Sequence, residues 1–260
     1  MSAPIENEGN PPMRTAQELQ SILIEAINKH DASVHRHRDR ISSGLITEAG
    51  YAEAVRAESA IAGTESRVRA VLTELDERQA AAQTAVDREH ARVAEPATGT
   101  AAEQLLAENR AVRAWERLRT RLSAGNPIMA AFEGLRAVSE STGDERRVIV
   151  EELPSFVLGL GQRPVPPAEM QKAIAQGDDA YARALVFAAE TASAVSTLRS
   201  AAETALTIVR SDQLSGNRGD IVVRTGTIQE FPVAPRRADT RTPEERAAFE
   251  KALDDLLSRR

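Results

Sequence analysis

The chain contains no cysteine, which excludes disulfides, thiolate metal sites and cysteine nucleophiles. Aromatic residues amount to 3%, against 42% hydrophobic residues overall. Any core must therefore be built from Ala, Leu, Val and Ile, which bury less area per residue than rings do. No run approaches the ~20 apolar residues of a membrane span. The opening residues are rich in Ser, Pro, Asn and Glu and hold no apolar signal segment. The expectation is a cytoplasmic protein, or one incorporated in a virion or other assembly, with no membrane partner. Basic residues are not in excess: 33 Lys+Arg against 39 Asp+Glu give a net charge of −6. That argues against a general polyanion binder while leaving room for local basic patches. There is no Walker A loop, HExxH or GxSxG. Gly159-Leu160-Gly161 lacks the third glycine of a dinucleotide fingerprint. No catalytic, cofactor-binding or metal-binding residue is assigned, and an enzyme is not expected.

What the sequence does hold is helix. Its Ala, Glu and Arg content favours helix throughout. Between residues 48 and 95, Ile61, Val68, Leu72, Leu75, Ala82, Val86 and Val93 recur at steps of seven, four and three. They make a narrow stripe like a coiled-coil seam. Unbroken, such a helix would run to about 70 Å at 1.5 Å per residue. Gly50 and Gly63 are the points at which it would fray or bend. Pro96 to Thr100 is a turn, and Thr100 with Glu103 forms a capping box for a returning helix over 101–122. There Leu105, Val112, Trp115, Leu118 and Leu122 share one side, and Arg110, Arg113, Arg117 and Arg121 line the other. Two such helices most simply form an antiparallel hairpin.

The domain reading is a flexible tail (1–14) and a helical hairpin or bundle (15–142), followed by an irregular linker or hinge (143–167). After these come a second helical segment (168–213), a loop, β-hairpin and linker (214–241), and a docking helix (242–260). Thr15 and Glu18 open the first helix with a capping box. Ile128, Phe132, Leu135 and Val138 follow helical spacing after an Asn126-Pro127 start. Within 143–167, Val148-Ile149-Val150 is too short to assign to strand or helix by periodicity, and four prolines and two glycines break up the stretch from Pro154 to Pro167. Residues 221–231 carry the β-hairpin pattern around Thr225-Gly226. Pro243 starts an amphipathic helix bearing Phe249, Leu253, Leu256 and Leu257.

His30, Asp31, His35 and His37 fall within eight residues. A metal would accept His30 and His37 on one helix face, but Arg36, Arg38 and Arg40 interleave and repel a cation. The expectation is a solvated polar helix end.

These patterns imply a mainly α fold class: an elongated helical hairpin or bundle with coiled-coil character and one small β-hairpin near 221–231. The function that suits it is a non-enzymatic, scaffold-like assembly protein. Val68, Leu72, Leu75 and Val86 would mediate self-association or an internal seam, and Phe249, Leu253 and Leu256 would dock a protein partner. An Ala/Glu/Arg-rich rod with a terminal docking helix suits a bacteriophage-type virion or scaffolding component, by analogy of architecture and not by motif. The alternative is a nucleic-acid-associated or regulatory protein whose Arg110, Arg113, Arg117 and Arg121 contact phosphates.

Overall fold

The structure, a computed structural model, describes residues 13–96, 98–214, 223 and 228–234 of the 260. Among these residues it is helical, with no strand: α1 (Ala16–Ser42), α2 (Glu48–Ile61), α3 (Thr64–Ala94), α4 (Ala101–Ala124), α5 (Ala130–Glu140), α6 (Gly143–Gly159), α7 (Pro167–Gly177) and α8 (Asp179–Val209). Of the expected β-hairpin, Val223 has helical backbone and residues 228–231 have no regular structure. Its other residues lie outside the described ones. The chain divides into two compact units, residues 1–80 with 190–232 and residues 81–189 with 233–260.

In the first unit α1 begins as its sequence requires. The Glu18 amide donates to Thr15 Oγ1 at 3.1 Å and the Thr15 amide donates to Glu18 Oε2 at 2.6 Å. Leu19, Leu23, Ala26 and Ile27 of α1 then pack with Val68, Val71 and Leu75 of α3 and with Val195, Leu198, Ala202 and Ala205 of α8. Each Leu, Ile or Val buried in this way contributes about 1.5–3 kcal/mol. The continuous helix expected over 48–95 is broken at Gly63, where φ is +63°, a left-handed backbone that glycine adopts without a Cβ penalty. Thr64 Oγ1 secures the break by donating to Ser59 O at 3.1 Å. Ile61, expected on the seam, is consequently 88% exposed.

The expected solvated histidine cluster is also corrected here. His30 and His37 are buried at 0% and 4% exposure, because α2 packs on their face of α1. His30 Nε2 lies 3.2 Å from the Gln213 carbonyl and Nδ1 lies 3.4 Å from Ser59 Oγ. A carbonyl can only accept, so Nε2 carries a proton and donates to it, while the serine hydroxyl can pair with Nδ1 in either direction. His37 Nε2 is 2.7 Å from Glu58 Oε2. No group of three or more His, Asp or Glu suited to a metal occurs among the described residues.

The second unit is centred on α6. Residues 143–159, expected to be irregular, are helical despite Pro154 within the helix. Ile149, Leu153 and Val157 recur at four-residue steps and are all but fully buried. Their combined burial outweighs the ~3 kcal/mol that an interior proline costs. Helix α5 approaches α6 through its small residues: Ala130, Gly134 and Val138 face inward. A Cβ on Gly134 would stand 2.3 Å from Leu153 Cδ1. This close approach turns the large residues outward, so Ile128 and Phe132, read in helical spacing with Leu135 and Val138, are 73% and 63% exposed.

Arg146 of α6 joins the ends of the neighbouring helices. It is 4% exposed and donates to Val138 O at 3.2 Å, to Ser141 O and Gly177 O at 2.5 Å, and to Asp178 Oδ2 at 3.1 Å. Asp178 Oδ1 accepts from the Tyr181 amide at 3.1 Å, capping α8, and from Arg92 Nη2 at 2.6 Å. Burial lowers the Arg146 pKa; the Asp178 carboxylate opposes that effect and the Arg92 charge adds to it. A buried cation satisfied on every side is costly to disturb in part.

Candidate functional site

Helix α4 presents two chemistries. Its inner side carries Ala111, Trp115, Leu118 and Leu122, all buried, with the Trp115 ring edge-on to Phe156 at 5.7 Å between centroids. The tryptophan is therefore a core residue and offers no stacking platform to a base. The outer side carries Arg110, Arg113, Arg117, Arg119 and Arg121, all exposed. Intrahelical ion pairs are the ordinary fate of such a face, and Arg136 shows it on α5, with Nε donating to Glu140 at 2.7 Å. That pair raises the Arg136 pKa, through the Glu140 hydrogen bond first and its charge second. Among the described residues, none of the five α4 arginines makes a comparable bond. Arg14, Arg36, Arg67, Arg69, Arg78, Arg92, Arg146, Arg147, Arg199 and Arg210 all do.

Beside these arginines runs a groove of about 430 Å³, with Ala114 and Leu118 of α4, Ala137 of α5 and Ile149 of α6 among its lining. Arg117 and Arg121 form its α4 wall, and Glu140, Ser141 and Glu145 the opposite one. A second depression continues from Arg121 past Met129, Phe132 and Arg136. Phe132 and Met129 are exposed there at 63% and 43%, and Ile128, next in sequence to Met129, is exposed at 73%. A groove with cations along one wall and carboxylates along the other accommodates a segment of complementary charge, and the arginines alone accept a polyanion.

No family model, no curated protein and no solved structure matches this chain.

The residues expected to act in association are dispersed. Val68 and Leu75 are fully buried in the first unit, with Leu72 half-buried against them. Val86 is 4% exposed in the core of the second unit. Phe249, Leu253 and Leu256 lie outside the described residues. On α4, Leu105 and Val112, expected on the buried side with Trp115, are 61% and 41% exposed. The sequence reading missed Met129, Ile128 and Phe132 as surface. The available signal was the small-residue row Ala130, Gly134 and Val138, which competes with Phe132 and Leu135 for the inward face of α5. No helix among the described residues is long and apolar enough to cross a membrane.

Proposed function

We propose that this chain is a non-enzymatic structural or assembly protein, scaffold-like in the manner of a bacteriophage virion or scaffolding component. It would act through the apolar, arginine-edged strip on α4 and α5 together with its C-terminal amphipathic segment. The observation that carries this reading is the juxtaposition of exposed Met129 and Phe132 with Arg121 of α4, which has no carboxylate partner among the described residues. Clustered apolar exposure next to polar edges marks protein-contact surfaces. In this reading Val68, Leu75 and Val86 serve the cores of their own units, and association runs through the α4–α5 surface. The test is light scattering across a dilution series. The expected result is a mass that rises with concentration above the 28.1 kDa of one chain. The rise should be lost in Met129→Asp/Phe132→Asp with the circular dichroism unchanged. A constant monomer mass at every concentration refutes the reading.

The same five arginines support a second reading, a nucleic-acid-associated protein. Phosphate contacts release counterions, so affinity for duplex DNA would fall steeply with salt. Titration with duplex DNA at two ionic strengths tests this reading: the absence of salt-sensitive DNA binding refutes it.

A further inference from the structure

We propose that the α4–α5–α6 groove receives residues 243–260 of a second copy of this chain, joining copies head to tail. The inference rests on the assembly reading and specifies its contact. The first observation is chemical. The groove has Leu118, Ala137 and Ile149 in its lining; Arg117 and Arg121, spaced one helical turn apart, wall it on α4, and Glu140, Ser141 and Glu145 wall it opposite. These arginines are exposed and have no carboxylate partner among the described residues.

The second observation is the pattern of the segment itself. In helical register, Phe249, Leu253 and Leu256 share one stripe. Glu250 and Asp254, also one turn apart, border that stripe on one side. The two rows therefore match in period and oppose in charge. With the apolar stripe against the groove lining, Glu250 and Asp254 come opposite Arg117 and Arg121. Segment and groove are different surfaces of one chain, so the contact is heterologous. Unless its rotation closes a ring, such a contact propagates.

The absence of cysteine makes the test clean. Ala252→Cys in the full chain carries a single nitroxide and is mixed with isotope-labelled, cysteine-free chain. The expected result is paramagnetic broadening of the labelled chain at Ala114, Leu118, Ala137 and Ile149. Arg117→Glu/Arg121→Glu should raise the dissociation constant about tenfold or more, because repulsive pairs replace attractive ones. Adding Glu250→Arg/Asp254→Arg to that variant should restore binding, which a merely unfolded groove could not do. Broadening elsewhere, or only when spin and isotope share one chain, overturns the proposal; the latter means the segment covers its own groove. Light scattering on the same samples separates the two claims. Mass growth without groove broadening leaves assembly standing and overturns this contact, whereas a constant monomer mass without broadening overturns both.

Discussion

Gly177→Ala should destabilise the second unit, although it adds one methyl group at the end of a helix and its backbone is not left-handed. The added Cβ would stand 2.3 Å from the Ser139 carbonyl oxygen and 2.6 Å from Arg146 Nη2. Relief needs separation to at least ~3 Å, and the nearest obstacle is backbone that cannot rotate away. Overpacking of this kind costs about 1–3 kcal/mol. The displaced neighbour is Arg146, whose Nη2 donates at 2.5 Å to both Ser141 O and Gly177 O. Weakening a charge-assisted hydrogen bond there costs about 1.5–3 kcal/mol more. The reduced entropy of the unfolded chain offsets about 0.4–1 kcal/mol. The net expectation is a loss of about 2–5 kcal/mol. Urea unfolding followed by fluorescence is the assay, since the lone tryptophan, Trp115, lies in the core of the same unit. Gly159→Ala is the control: nothing lies within 4 Å of its Cβ position, so stability should hold or rise slightly. Equal midpoints for the two variants would refute the argument from close approach.

Two further predictions concern pH. Tyr181 is fully buried, and its hydroxyl has no hydrogen-bond partner among the described residues. Burial, with a smaller contribution from the Asp87 charge, pushes its pKa up to about 12. The folded state thus favours the neutral phenol, and the stability linked to it is present below pH ~10 and lost as pH rises toward ~12. Tyr181→Phe should leave stability at neutral pH unchanged or raise it by up to about 1–2 kcal/mol, and it should flatten the alkaline decline in unfolding midpoint. A marked loss at neutral pH would show that the hydroxyl has a partner. Glu74, in the first unit, is bound by Arg14 Nε at 2.7 Å and Arg78 Nη2 at 3.0 Å. Burial, the largest single influence, raises its pKa, but the hydrogen bonds and charges of Arg78 and Arg14 together hold it below the usual carboxylate value. Its contribution is therefore complete above the unfolded-state carboxylate pKa and is lost as pH falls through the lower folded one. Glu74→Gln should cost about 1–3 kcal/mol near pH 7, with a difference from wild type that shrinks in acid. A difference independent of pH would assign the loss to packing.

The sequence by itself determined the elements whose information is local. The capping boxes at Thr15 and Thr100 formed as read, because both partners lie within one turn and need nothing else. Gly63 was recognisable as a weak point, since only glycine enters the left-handed region freely. The arginine face of α4 was visible at four of its positions, and the structure adds Arg119. What the sequence could not state is that these arginines make no ion pairs with described residues, because pairing depends on rotamers and neighbours.

Tertiary structure decided everything that depends on which helices meet. Pro154 and Gly159 signalled a break in 143–167, yet burial of Ile149, Leu153 and Val157 against α4 and α5 outweighs the local cost. The two histidines of α1 looked solvated until α2 was laid over them. Phe132 lost the inward face of α5 to Gly134, because helices that approach closely have room there only for small side chains. That exchange exposes Phe132 and Met129 beside Arg121 of α4, so the candidate docking surface is a product of helix packing that no single segment's periodicity contains.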